Sequence, residues 1–212
     1  MAEMFDVYDE TGNRIGIAER KEAHAKGLWH RTVHCWLVRR VELEDVSSSS
    51  VLFQKRSADK DTNPGLFDIT AAGHLQAGES PQAVVRELEE ELGVSVHFEQ
   101  LSEIGVFRER LTGESGGISY IDAEFSHVFG LAVSMDPMEF RLQEEEVAGL
   151  YEANADELIS LMEGRLERIL ARGAELRNGK LQASEIEIAR SSFVARDYDY
   201  YVAVFKFLRD LT

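Results

Sequence analysis

Three carboxylates on one stretch define the chemistry open to this chain. Residues 73–94 read GHLQAGESPQAVVRELEEELGV. Ser80 suits an N-cap, Pro81 the first helical position and Gly93 a left-handed C-terminal residue, so the spacing predicts a helix over residues 81–92. At about 100° per residue, Glu87, Glu90 and Glu91 fall within roughly 100° of one another, and Val84, Val85, Leu88 and Leu92 cover the neighbouring face. Like charges at i and i+4, here Glu87 and Glu91, repel unless something positive lies between them. A hard cation such as Mg2+ answers that, because it takes oxygen ligands and keeps waters that a phosphate can replace. A solvated acidic face is the competing reading.

Other groups stand as partners for such a centre. Asp122 and Glu124 are two apart in YIDAEFSHVF and so share one strand face. That face is either a site wall or a hydrophilic exterior, and Glu144, Glu145 and Glu146 compete for the role of an acid outside the helix. Lys55 and Arg56 end a strand on opposite faces. Arg56 is the better phosphate contact, since a guanidinium binds two oxygens at once, with a plain surface arginine as the alternative. His24, His30 and His34 lie close in sequence, and His74 follows Gly73 directly.

The elements that must position these groups read as strands around a few helices. Residues 4–8 and 14–18 form two strands about the turn-rich 9–13, an N-terminal ribbon. A polar segment follows, then TVHCWLVRR as a core strand, with 42–50 as a polar connection. Residues 51–57 and 66–71 are strands about the turn formers of 59–65; 95–99, 103–111 and 118–133 are strand candidates, with 112–117 as a turn. Asp156 is expected to cap a helix running to Glu163, residues 164–188 to form a polar arm, and Asp197 to cap a final helix whose aromatics make core or dimer contacts. Strands before and after a helix predict an α/β sandwich around a mixed sheet.

Composition excludes several function classes. The net charge of -16 argues against binding a nucleic-acid polymer, which calls for a lysine and arginine surface. Cys35 is alone, so a disulfide within the chain is excluded. No apolar run approaches the roughly 18 residues of a membrane span, and the start MAEMFDVYDE lacks signal-peptide regions, so the expectation is a cytoplasmic protein without membrane contact.

Gly73, Glu79, Arg86, Glu87, Leu88, Glu90, Glu91, Gly93 and Val94 match by type the box of the Nudix family, G-x5-E-x7-R-E-U-x-E-E-x-G-U with U aliphatic. One departure is that six residues, not seven, separate Glu79 from Arg86, which shifts weight from Glu79 to the helix glutamates. The resemblance implies a single Nudix domain over 1–212: ribbon and short segment 1–30, core 31–150 and a helical extension 151–212. It implies a Mg2+-dependent hydrolase, with Mn2+ as substitute, that cleaves a pyrophosphate bond in a nucleoside diphosphate derivative or another organic diphosphate. Glu87 and Glu91 would hold the metal with the Gly73 carbonyl, Glu90 would be a further ligand or a water contact, Arg86 would orient Glu87, and the catalytic carboxylate outside the box, general base or further metal ligand, would be Glu124. Arg56, His30 and His74 are expected to bind substrate, and a homodimer is expected from the ribbon and final helix. The histidines and the Asp122/Glu124 pair also look like those of type 1 isopentenyl diphosphate isomerases, relatives of the same fold in which such residues hold a metal. That family uses a cysteine immediately before its Gly-His step, and here the position is Ala72, which cannot carry a proton. A non-catalytic ligand-sensing module is the third alternative.

Overall fold

The computed structural model describes residues 2–43, 46–60, 62–115 and 117–211. Glu44 and Asp45 in the 42–50 connection, Asp61 in the 59–65 turn and Gly116 in the 112–117 turn lie outside the described residues.

Asp9 makes the N-terminal ribbon by accepting the backbone N–H groups of Thr11 and Asn13, which turns the chain from β1 (Met4–Tyr8) into β2 (Arg14–Glu19). The polar segment that follows coils into α1 (Arg20–Lys26), closed by Gly27 at φ 63°. Then come β3 (His30–Leu43), β4 (Val46–Arg56), β5 (Phe67–Asp68), β6 (Ala71–His74) and α2 (Val84–Leu92). The chain continues through β7 (Ser102–Ser115), β8 (Ile118–Val133), β9 (Val147–Asn154), α3 (Ala155–Met162), β10 (Ile169–Arg177), β11 (Lys180–Ile188) and α4 (Tyr198–Leu211).

The large sheet runs β11-β10-β9-β4-β3-β8-β7, with β5 on β4 and β6 on β3. β3 and β8 pair in parallel and the other neighbours antiparallel, so the sheet is mixed as expected. Alternation along β3 explains the layers. Val33, Cys35 and Leu37 point to the face covered by Leu88 and Leu92 of α2, while Trp36 and Val38 point to the face covered by Leu158 of α3 and Phe205 of α4. Burying a leucine such as Leu88 or Leu92 contributes about 1.5–3 kcal/mol. The result is the expected α/β/α sandwich, and Tyr201 and Phe205 on α4 are core residues.

Several expectations need correction. Residues 164–188 are not a polar arm: β10 and β11 form a hairpin that extends the sheet through β9, so the extension is part strand and not wholly helical. Asn178 and Gly179 turn that hairpin at φ 53° and 69°, the left-handed pair that Asn-Gly favours. Residues 95–99 form no strand but lead into a short 3-10 turn at Phe98–Gln100. β3 reaches Leu43 and β4 starts at Val46, so the 42–50 connection is mostly strand. The predicted strand over 66–71 is split into β5 and β6, and β7 and β8 run into the 112–117 turn. Asn154, not Asp156, caps α3, its Oδ1 accepting the N–H groups of Asp156 and Glu157. The helix expected from residue 81 starts with a 3-10 turn at Pro81–Ala83, and Ser80 makes no side-chain cap, but Gly93 ends α2 at φ 70° as expected.

Candidate active site

α2 turns two of its glutamates into the protein. Glu87 and Glu91 are buried, whereas the Glu90 side chain is 54% exposed at the rim. Glu91 Oε2 accepts Gln54 Nε2–H at 3.2 Å and the Ala72 N–H at 3.4 Å. Burial pushes the Glu91 carboxyl up to about 8, with Glu87 adding to the effect. Burial likewise pushes Glu87 up to about 7, against the pull of Arg86. The Arg86 guanidinium lies 2.9 Å from Glu87, 3.1 Å from Glu90 and 3.4 Å from Glu79. Glu79 also accepts the Gln76 N–H at 2.8 Å, so the shortened spacing leaves Glu79 holding both its loop and Arg86.

A second cluster lies across β6 from these glutamates. Nε2 of His24, His30 and His74 and Oδ1 of Asp122 are buried without a hydrogen-bond partner and lie within 4.8 Å of one another. They arrive from α1, β3, β6 and β8. The His30 Nδ1 lies 3.0 Å from the Leu28 carbonyl, which makes Nδ1–H the donor and leaves the Nε2 lone pair toward the cluster. Phe5 stacks on both His30 and His74, with ring centroids 4.9 and 4.8 Å away, and so fixes two rings at once. Burial holds His74 well below the usual imidazole range and His24 below it, in the neutral form that ligates metals. Burial opposes charge on His30, but the Asp122 and Glu124 carboxylates raise it. Burial also opposes charge on Asp122, yet the surrounding imidazoles hold it below the carboxylate range. Four buried atoms without a hydrogen bond, His24 and His30 Nε2 lying 3.6 and 3.4 Å from Asp122 Oδ1, converge on one point and fit a divalent metal ion.

Glu124 sits beside that cluster. Its Oε1 is 3.8 Å from His74 Nε2 and 4.0 Å from His30 Nε2, and its Oε2 is 3.4 Å from the hydroxyls of Thr32 and Ser126. Burial, then the neighbouring Asp122, pushes its carboxyl to about 7.

Glu87, Glu90 and Glu91, and from the second cluster His74 and Asp122, line one cleft of about 450 Å3. His30 and His74, expected as substrate contacts and, by the isomerase resemblance, as metal holders, stand with His24 and Asp122 in the second cluster, and His74 also lines the cleft. Arg56 lines the cleft, with its guanidinium bound to Asp68 at 2.9 Å and to the Thr62 carbonyl. Glu145 and Glu146 also line the cleft, and Glu146 pairs with Lys60. Sequence reasoning missed Gln54, which follows strand parity onto Glu91, and Arg196, which reaches the cleft from far along the chain. Cys35 faces the α2 core, fully buried, and burial pushes its thiol far up, so it offers the cleft no proton.

The NUDIX domain model matches residues 28–172. The chain belongs to the Nudix hydrolase family. A Nudix hydrolase of Clostridium acetobutylicum is 36% identical over 211 residues, 98% of each chain. Nudix hydrolase 3 of Arabidopsis thaliana is 39% identical over 152 residues, which is 70% of this chain and 19% of that longer one. An isopentenyl-diphosphate Delta-isomerase of Streptomyces griseus is 35% identical over 132 residues, 61% of each. Among solved structures, a Deinococcus radiodurans protein aligns at TM-score 0.52 and 20% identity over 76% of this chain and 90% of that one. A MutT/nudix family protein from Enterococcus faecalis aligns at 0.53 and 14% identity over 85% and 62%. These two share the fold. No helix among the described residues of this Nudix chain is long and apolar enough to cross a membrane.

Proposed function

We propose that this Nudix protein is a divalent-metal-dependent hydrolase that cleaves the pyrophosphate bond of an organic diphosphate, nucleoside diphosphate derivatives included. The observation that carries the reading is the burial of Glu87 and Glu91 at the wall of a cleft that His74 and Asp122, of the cluster they form with His24 and His30, also line. Two carboxyls pushed to about 7 and about 8 are acids that a cation would discharge of their protons at neutral pH. Mg2+ suits the all-oxygen set of Glu87, Glu91 and the Gly73 carbonyl, while the imidazole cluster suits Mn2+ better. Bound metal would neutralise phosphoryl charge and lower the pKa of a water.

The residues themselves would divide the remaining work. Arg86 orients Glu87 through its 2.9 Å ion pair. Glu90, exposed at the rim, would serve as a further metal ligand or a contact to water. Glu124, with Oε2 beside the bonded Thr32 and Ser126 hydroxyls and Oε1 turned toward His30 and His74, fits the base that takes a proton from the attacking water. Arg56 offers cationic charge to the phosphates. A homodimer is part of the proposal, with Ile15 and Ile17 exposed on the ribbon as contacts.

Nucleotide sugars, dinucleotides, nucleoside triphosphates and prenyl diphosphates, incubated with Mg2+ or Mn2+ and followed by phosphorus NMR, test the reading. Glu87→Gln and Glu91→Gln should each abolish cleavage of the pyrophosphate bond, read as loss of the diphosphate phosphorus signals, while circular dichroism stays unchanged. Unchanged turnover in both would refute the assignment. The His/Asp cluster favours isopentenyl diphosphate isomerisation as a second reading, against which stand Ala72 and the buried Cys35. Dimethylallyl product without phosphate release would establish it over hydrolysis.

A further inference from the structure

A line of polar contacts runs from the C-terminal helix into the cleft. Trp36 Nε1–H donates to Tyr200 Oη at 2.9 Å. An indole nitrogen only donates, so Tyr200 accepts there and keeps its own proton for another partner. His34 Nδ1 stands 2.9 Å from the same Oη, and it is the acceptor within reach of that proton. With Nδ1 accepting, the His34 proton resides on Nε2, which faces Glu124 Oε2 at 4.0 Å. That separation exceeds a hydrogen bond, so the N–H acts as a dipole aimed at the oxygen. The Thr32 and Ser126 hydroxyls crowd the same oxygen at 3.4 Å. The Thr32 hydroxyl also lies 2.9 Å from Ser126 Oγ, so one proton of that pair binds the two hydroxyls together and the other faces Oε2, while Oε1 is left toward His30 and His74.

We propose that Tyr200 is a positioning residue: its hydroxyl locks His34 as the Nε2-protonated tautomer, which pins Glu124 Oε2 and so presents Glu124 Oε1 to the His24, His30, His74 and Asp122 cluster. The ring is well placed for the task. Tyr200 is buried, and Phe107 meets it edge-on with centroids 5.0 Å apart. Burial also holds His34 well below the usual imidazole range, so the ring is neutral and the choice between tautomers is the variable. Tyr200 lies beyond residues 28–172, so α4 adds to the Nudix match a control on the cleft that the matched stretch does not contain.

The inference rests on the metal reading of the cluster, and its test separates the two. In 15N-labelled metal-free protein, long-range proton–nitrogen spectra should show His34 Nδ1 unprotonated and Nε2 protonated. Tyr200→Phe should move His34 toward the other tautomer while the backbone amide spectrum stays folded. Mn2+ affinity, measured by calorimetry, should fall about tenfold in Tyr200→Phe, the scale expected when an outer partner of a metal site is lost. His34→Gln, whose amide N–H replaces Nε2–H, should hold Mn2+ more tightly than His34→Leu. A proton on His34 Nδ1 in the parent protein, or His34 signals or Mn2+ affinity unmoved in Tyr200→Phe, would overturn the proposal. Failure to hydrolyse any diphosphate, with these shifts observed, would sink the proposed reaction and leave the lock standing.

Discussion

The Glu87 carboxyl group packs directly on the Cα of Gly73, where a Cβ would lie 2.3 Å from Glu87 Cδ and 2.5 and 2.6 Å from its two oxygens. The glycine is required here for space, not for a left-handed backbone, because its φ is ordinary. Gly73→Ala should therefore push Glu87 out of the cleft and cut turnover at least about tenfold, the order expected when a site group moves by an ångström. Steady-state kinetics beside a thermal melt would show it, and a variant as active as the parent would mean Glu87 is free to move without consequence.

How far the sequence anticipates this geometry depends on the range of the signal. Glu87, Glu91 and Gly93 are readable because helix period and a C-terminal glycine are local rules. The His24, His30, His74 and Asp122 cluster is assembled from four elements, so no local rule reaches it: only the isomerase resemblance points to these residues, and it is the pairing of β6 and β8 with β3, with α1 bringing His24, that makes the atoms converge. The β10–β11 hairpin was legible in Asn178-Gly179, but the charges on its outer face, Arg172 and Glu185 paired at 2.7 Å, disguise its alternation. Ser95–Glu99 alternates like a strand yet finds no neighbour to pair with, and tertiary context overrides propensity there. Arg196 and Tyr200 carry no local mark of reaching the cleft, because nothing near them in sequence resembles a site.

Phe205 ties α4 to the sheet by packing edge-on against Trp36, with centroids 5.3 Å apart and both rings fully buried. Phe205→Ala should cost about 3–5 kcal/mol through lost contact and a residual cavity. Urea unfolding with an unchanged slope is the measurement. A loss under 1 kcal/mol would show that α4 contributes little to the stability of the sheet.

Two donor sets of different chemistry predict two metal responses. Mn2+ at about 100 times its dissociation constant should raise stability by about 2.7 kcal/mol, visible as a higher melting temperature. His74→Gln removes an imidazole whose Nε2 lies in the second cluster, so it should erase most of the Mn2+ shift and spare the Mg2+ shift that Glu87 and Glu91 support. Equal loss of both shifts would mean that the clusters act as one site.

The buried glutamates also fix a direction for stability against pH in metal-free protein. Burial raises Glu91 to about 8 and Glu87 to about 7, well above the roughly 4.3 of an unfolded glutamate. Between those limits the folded state holds protons that the unfolded chain has released, so stability falls as pH rises. His24 and His74, lowered by burial, act in the opposite sense, but only below the roughly 6.5 of an unfolded histidine. The window from about pH 6.5 to 8 is left to Glu87, Glu91 and Glu124, the last also raised to about 7, with the raised His30 acting in the same sense. The urea midpoint should fall across that window, Glu91→Gln should flatten the fall, and saturating metal should flatten it in the parent protein by taking the place of the proton. A midpoint that climbs from pH 6.5 to 8 without metal would mean that Glu87 and Glu91 are already ionised where they lie, and that their burial is relieved by something other than a cation.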